Sequence, residues 1–375
     1  MKVLYISYYK EDNSDWAVSA INNMLALDRA GVDVVARNVT ITSDGKNITP
    51  KIKQLQAKST EGCDVCIQHV LPHHLVSTDQ FKKNIAYFSS ESTSIKHLPW
   101  FNHLQLVDEV WVPNEQSRQF LLEDKIGKPV RVAPRTFNME NYTKKYEDIQ
   151  IPQAKGKFKF YHIGDLNERQ NIDAVIRCFH AEFDKSEQAC LILKVKKPGI
   201  NSEQVQQTVD QKIVAIKNSL RIYRDVSEYN KDIIISEDVD SEKIYALHQS
   251  SDCFVNPSRG EAWSIPSFEA MAFGNTPICS DFGGPRDFID KQDHLTGNLV
   301  GGSYATCQCS DSAFPDMFTG REYWFNPCDM EIRKAMRFYY ENQDKKRDKK
   351  IGGLTKAKVF SYENVGNLMK GFLNE

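Results

Sequence analysis

What most constrains the fold of this 375-residue chain is a pattern of short apolar runs alternating with helical repeats, which runs once, stops, and starts again. Residues 2–8 (KVLYISY) are apolar, aromatic or β-branched, the composition of a buried strand. After a polar loop at 10–15, the apolar residues of 17–31 (AVSAINNMLALDRAG) recur at helical spacing, and Gly31 marks the stop. Residues 32–39 (VDVVARNV) form the next strand. A strand–helix–strand order requires a right-handed crossover and a parallel sheet. Further strands follow at 63–70 (CDVCIQHV), 84–90 (NIAYFSS), 108–114 (DEVWVPN) and 130–134 (VRVAP), with a helix over 114–127.

Residues 139–157 are polar, without an apolar period, and read as a linker. The alternation then resumes with strands at 158–164, 189–195, 232–238, 253–258 and 276–282 and a helix over 172–183. The expectation is an α/β protein of two Rossmann-like domains, 1–145 and 155–350, facing one another across a cleft. Ligands of such sheets sit beyond the carboxyl ends of the strands. Residues 351–375 are expected to form a terminal helix, started by Ser361 and packing back toward the N-terminal domain.

Composition narrows the class. With 41% hydrophobic and 26% charged residues the chain reads as globular and soluble. Its first residues break into charge too early for a secretory signal, and no run approaches the roughly 18 apolar residues of a membrane span. A cytoplasmic protein with no transmembrane segment is expected. The nine cysteines have no regular spacing and read as reduced thiols. Cys63-x-x-Cys66 lies in a strand, where cysteine serves as a small hydrophobe, and Cys307-x-Cys309 with Cys328 is a second set to weigh against zinc. A net charge of −2 argues against a chain built mainly to bind polyanions. The basic run KKRDKK (345–350) reads as a solvated helix face or loop.

The chemistry concentrates in residues 254–289, FVNPSRGEAWSIPSFEAMAFGNTPICSDFGGPRDFI. This stretch reads as strand, loop, helix, strand. Pro266 suits the first turn of the helix, and Gly274 suits its left-handed end. Backbone N–H groups at such a helix start make an anion site fit for a diphosphate. Seven residues separate Glu261, in the loop, from Glu269, in the helix. Carboxylates there can accept hydrogen bonds from sugar or ribose hydroxyls.

Pro257, Ser258, Glu261, Trp263, Glu269, Ala270, Met271, Ala272, Gly274 and Pro277 match a long composite pattern. The stretch resembles the E-x7-E signature of family 4 of the retaining GT-B glycosyltransferases, P-S-x-x-E-G-F/W-G followed by E-A-M-A-x-G-x-P. SDFGGPRDF downstream, VDEVWVPNEQSRQFL before the linker and IGDLNERQNIDAVIRCFHAEF after it are similar to the family too. SSEST and the later LPWF resemble a branch with a W-E-S/T and Pro-Trp pattern. The resemblance implies a retaining transfer of a hexosyl or pentosyl group from a UDP- or GDP-sugar to a hydroxyl acceptor. It implies that Glu261 contacts donor-sugar hydroxyls, that Glu269 holds the ribose, and that Gly164 and Ala262, Trp263, Ser264 and Ile265 line the donor site. No cofactor and no metal are expected.

The chain departs from the family at the basic pair that balances the leaving diphosphate, where it has Asp165 and Gln170. Arg169 and Lys194 are the candidate replacements. Ala262 and Ser264 stand where the family has glycines. On the N-terminal side, Ser14, Asp15, Trp16 and His69, followed by His73 and His74, are candidates for the acceptor side. Glu91 is a candidate for contact with donor or acceptor. Asp238-Val239-Asp240 looks like a D-x-D metal motif but precedes a helix, where Asp is favoured as a cap. The acceptor is open, and a lipid-linked one would imply peripheral membrane contact. Three alternatives remain: a sugar-nucleotide-binding protein without catalysis, a different enzyme on the same fold such as an epimerase or phosphorylase, and a transferase acting on DNA bases.

Overall fold

The computed structural model describes residues 1–10, 14–39, 48–291, 294–307, 319–343 and 346–375. Each strand read from the sequence is present, with ends shifted by up to three residues. The chain divides into two compact units. The first comprises Met1–Met139 and Lys358–Glu375 with a short segment ending at Glu322, and the second runs from Glu140 to Ala357 apart from that segment.

The first unit is built on β1 (Lys2–Ser7), β2 (Asp33–Asn38), β3 (Val65–His69), β4 (Lys83–Tyr87), β5 (Glu109–Val112) and β6 (Val130–Val132). They form one parallel sheet in the order β2-β1-β3-β4-β5-β6. Helices α1 (Asp15–Arg29), α2 (Pro50–Ala57), α3 (Pro99–His103) and α4 (Glu115–Glu123) connect or flank these strands. Val3, Val34 and Ile67 are wholly buried, as strands covered on both faces require. In α1, Ser14 caps the first turn by accepting from the Ala17 amide at 3.1 Å, and Ala17, Ala20, Met24 and Leu27 form the buried stripe.

The second unit contains β7 (Phe158–Asp165), β8 (Ala189–Lys196), β9 (Asp232–Ile235), β10 (Cys253–Asn256), β11 (Thr276–Ser280) and β12 (Asn298–Val300). They too form a parallel sheet, in the order β12-β11-β10-β7-β8-β9. Its helices are α5 (Ile172–Glu182), α6 (Ser202–Leu220), α7 (Ser241–Ser250), α8 (Ile265–Phe273), α9 (Pro285–Phe288), α10 (Asp329–Glu341) and α11 (Lys346–Lys358). An antiparallel pair, β13 (Gly302–Thr306) and β14 (Tyr323–Pro327), has no counterpart in the sequence reading.

The expected single terminal helix over 351–375 is two helices. The first is α11, and α12 (Tyr362–Asn374) starts anew after Ser361 caps it and pairs with Phe137. The boundary between the units falls at 139/140, at the start of the polar stretch and before the expected 145. The run 345–350 is not uniformly solvated. Lys349 is buried, donates to the Asn342 carbonyl at 3.1 Å and lies over the Tyr339 ring, so its stem packs while its charge finds an acceptor. Cys63 and Cys66 are buried, and burial pushes the Cys66 thiol up to about 12. No group of three His, Cys, Asp or Glu able to hold a metal occurs among the described residues, and Cys309 lies outside them.

α12 packs on α1 within the first unit. Gly366 permits the approach, since a Cβ there would sit 2.2 Å from the Ala26 carbonyl oxygen. Lys370 donates to the Ala30 carbonyl at 2.8 Å, a cation placed at the negative end of α1. Gly366→Leu is therefore expected to destabilise the first unit by about 2–3 kcal/mol, the cost of overpacking against backbone. Urea denaturation checks this through a lower midpoint at unchanged slope.

Candidate active site

The site in the second unit grows from the end of β10. Beyond Asn256 the chain makes a loop and enters α8 through Ser264, whose φ of 71° and ψ of 76° are left-handed. That conformation suits glycine best, and a serine there must be held in place. Here the serine is held by hydrogen bonds, at 2.8 Å from Asn256 Nδ2 and 2.6 Å from the Ser267 hydroxyl. Gly274, with φ 87°, ends the helix.

The loop is fixed from three sides. Arg169 donates to the Gly260 carbonyl at 2.6 Å and pairs with Glu261 at 3.6 Å. The Arg259 amide donates to the Arg169 carbonyl at 2.7 Å, and the Phe325 amide of β14 donates to the Arg259 carbonyl at 2.7 Å. From the third side comes the turn at Gly283-Gly284. A Cβ on Gly283 would lie 1.7 Å from the Glu261 carbonyl oxygen, and one on Gly284 would lie 2.4 Å from the Trp263 Cα. The glycine pair of SDFGGPRDF is thus the device that lets this turn lie on the glutamate loop.

Glu261 is 8% exposed, and its Oε1 is 3.3 Å from Gln170 Nε2 and 3.4 Å from Asn256 Nδ2. The sequence reading took Gln170 as a missing phosphate ligand, and its amide is spent on this carboxylate. Arg169 is likewise engaged with the loop. Lys194, near the carboxyl end of β8, is 5% exposed, and among the described residues no carboxylate comes within ion-pair distance of it. Burial lowers its pKa, with Lys196 adding to the effect. The carboxylates of Asp238, Glu237 and Asp165 act against that shift without pairing directly, which leaves the ammonium's hydrogen bonds open to an anionic ligand.

Glu269, in α8, has a neighbour that the sequence reading missed, His248 of α7. The Asn275 side chain donates from Nδ2 to the backbone carbonyl of His248 at 2.5 Å, and a carbonyl can only accept, which fixes the amide's orientation. The same Nδ2 donates to the Tyr161 hydroxyl at 2.7 Å. Tyr161 therefore gives its own proton to His248 Nδ1, 2.6 Å away. In that tautomer the hydrogen sits on Nε2, which lies 3.5 Å from Glu269 Oε2, near it but short of a hydrogen bond. His248 is wholly buried on α7, and the only sequence signal for it was a histidine on the apolar face of a helix.

Of the residues predicted for this site, Glu261, Ala262, Trp263, Ser264 and Ile265 come together between β10 and the start of α8, Arg169 reaches them from the loop between β7 and α5, and Glu269 lies beyond them in α8. Ala262, Trp263, Ser264 and Ile265 are buried. Gly164 lies at the end of β7, where a Cβ would be 2.8 Å from His162 Nε2 and 3.0 Å from Gln170 Oε1. Burial lowers the His162 pKa to about 4, and its Nδ1 donates to the Val255 carbonyl at 2.8 Å. Asp240 is a helix cap, accepting from the Lys243 amide at 2.8 Å.

The acceptor-side candidates gather in the first unit. His69 is wholly buried at the end of β3, 4.9 Å from the Trp16 ring and 4.4 Å from the Tyr87 ring. Ser14 caps α1, Asp15 is exposed in its first turn, and Glu91 is half-buried in the loop after β4. His74 is hydrogen-bonded through Nδ1 to the Tyr8 hydroxyl, and His73 packs edge-on against it.

Two six-stranded parallel sheets with this helical dressing define the GT-B architecture. Sucrose-phosphate synthase from Thermosynechococcus elongatus is similar with a TM-score of 0.65 at 13% identity, covering 100% of this chain and 98% of that one. A trehalose-6-phosphate protein from E. coli bound with UDP-2-fluoro glucose reaches 0.68 at 10% identity, over 100% and 99%. Anabaena HepE in complex with UDP and glucose reaches 0.62 at 12% identity, over 100% and 99%. At these identities the likeness establishes the fold. In sequence, residues 217–305 match the profile of the family described as Glycosyl transferases group 1. A stretch of 115 residues is 28% identical to glycogen synthase of Lactiplantibacillus plantarum, and it spans 30% of this chain but 24% of that protein.

The geometry predicts unequal costs for two glycine substitutions. Gly156 has φ 75° with nothing near its missing Cβ, whereas Gly283 has φ 69° and backbone 1.7 Å away. Gly156→Ala should cost about 1 kcal/mol of left-handed strain. Gly283→Ala should cost about 2 kcal/mol more, because the glutamate loop must shift. Equal losses in paired denaturation curves would mean the turn does not bear on the loop.

Proposed function

We propose that the chain is a retaining glycosyltransferase that takes its sugar from a nucleoside diphosphate donor and needs no metal. The observation that carries this reading is the placing of Glu261 and Glu269 on one buttressed loop-and-helix at the carboxyl end of the second sheet. The solved proteins of like fold that hold UDP or UDP-glucose support it. In this reading Glu269 accepts from the ribose hydroxyls and Glu261 orients the donor sugar. Lys194 supplies the cation for the diphosphate, since Arg169 is already engaged. Backbone amides at the start of α8 add partial positive charge where the leaving group gathers negative charge.

The reaction follows from that arrangement. The bond from the anomeric carbon to the diphosphate oxygen breaks, and the acceptor oxygen bonds to the same face. The acceptor's proton passes to the departing diphosphate. The protein positions the partners and stabilises charge. A binding protein without catalysis is a second reading, favoured by Asp165, which sets an acid where the family has a base. It would bind nucleotide and give no turnover.

Titration calorimetry with UDP, GDP and ADP tests the donor site. One nucleotide should bind selectively, with affinity reduced about tenfold or more in Glu269→Ala, the loss expected for hydrogen bonds to a charged group. His248→Leu should fall between wild type and Glu269→Ala. Equal binding by all three proteins would refute the assignment of Glu269. An inverted anomer in the NMR spectrum of the product would refute retention.

A further inference from the structure

The first unit holds a buried cation that the donor site does not use. Arg135, just beyond β6, is 6% exposed. Its Nη1 donates to the Asp15 carbonyl at 2.9 Å, and its buried Nε has no hydrogen-bond partner among the described residues. Among the described residues no carboxylate pairs with it; Asp15 offers its carbonyl, and its side chain is exposed. A buried guanidinium without a counter-charge is costly, so such groups in folded proteins belong with an anion.

A second unmet donor belongs to the same cluster. Asn23 Nδ2 donates to the Tyr5 hydroxyl at 3.2 Å, so Tyr5 gives its proton to His69 Nδ1 at 2.9 Å. The neutral His69 ring then carries its hydrogen on Nε2, and this buried atom has no partner among the described residues. Burial holds the ring neutral, and the positive charge of Arg135 works in the same direction. The contacts are continuous. Trp16, next to the Asp15 that Arg135 grips, lies against His69; Tyr87 touches His69 and donates to the Ala133 carbonyl at 2.9 Å, two residues before Arg135. Ser7, paired with His69 in the strand register, adds a buried hydroxyl without a partner among the described residues. These groups stand at the carboxyl ends of β1, β3, β4 and β6, where parallel sheets bind ligands.

We propose that this donor-rich cluster binds the anionic group, a carboxylate or a phosphate, of a negatively charged acceptor. Arg135 supplies the charge, and His69 Nε2 and the Ser7 hydroxyl supply directed hydrogen bonds. This narrows the acceptor class and rests on the transferase reading above. The two can fail separately, because the cluster is in the first unit and the nucleotide residues are in the second.

The test compares neutral hexoses, hexuronates and hexose phosphates as acceptors with one donor, in wild type, Arg135→Met and Arg135→Lys. Wild type should favour one charged class by about tenfold or more in kcat/KM, the scale of a charge-assisted hydrogen bond. Arg135→Met should lose that preference through a higher KM for the charged acceptor, with nucleotide affinity unchanged. Arg135→Lys should recover part of it. Preference for uronates identifies the carboxylate, and preference for phosphates the phosphate. Wild-type indifference to acceptor charge, or a KM rise in Arg135→Met that is equal for neutral and charged acceptors, overturns the proposal. Thermal shift with inorganic phosphate and with acetate reads the cluster without turnover. Saturable stabilisation of wild type and not of Arg135→Met, by either anion, supports the site; equal response or no response overturns it.

Discussion

The second unit depends on the contact between the Gly283-Gly284 turn and the loop that carries Glu261. Two polypeptide segments approach there more closely than any side chain would permit. That approach, with the Arg169 clamp on Gly260, holds the loop where Glu261 meets Asn256 and Gln170. The loop feeds α8 through a left-handed serine, and α8 carries Glu269 to His248. An account of the site that began from the two carboxylates would miss the reason for their position, which is backbone packing enforced by glycine.

Both units place polar chemistry at the carboxyl ends of parallel strands, but with opposite character. In the second, the carboxylates Glu261 and Glu269 are nearly buried on the loop and helix that follow β10, and the buried cation Lys194 lies near the end of β8. In the first, Arg135 and the Nε2 of His69 present donors with no carboxylate paired to them among the described residues. Each histidine there is set by a tyrosine, Tyr161 for His248 and Tyr5 for His69, and each tyrosine is set by an asparagine. A neutral imidazole in a dry interior makes a directional donor only when its tautomer is imposed in this way.

The fold was largely legible because buried parallel strands write themselves as apolar runs, and residues 2–8, 63–70 and 189–195 could hardly be read otherwise. β13 and β14 were not legible, since Gly302–Thr306 is exposed along its length and shows no apolar period. The start of α12 was legible in its cap, Ser361, whereas α11 before it was not read as a separate helix. At the site, the spacing of Glu261 and Glu269 pointed to the loop and helix. Gln170 looked like a loss because its partner, Glu261, lies ninety-one residues away in sequence. Arg135 carried no local signal and His248 only that of a histidine on the apolar face of a helix, as their importance comes from what surrounds them once the sheets have formed.

The central claim is that the second unit holds a nucleoside diphosphate through Glu269 and the start of α8. A crystal structure with UDP bound tests it most directly. The account predicts ribose hydroxyls within hydrogen-bond distance of the Glu269 carboxylate and the diphosphate between the first amides of α8 and Lys194. A nucleotide bound elsewhere, with Glu269 turned solely to His248, would contradict it.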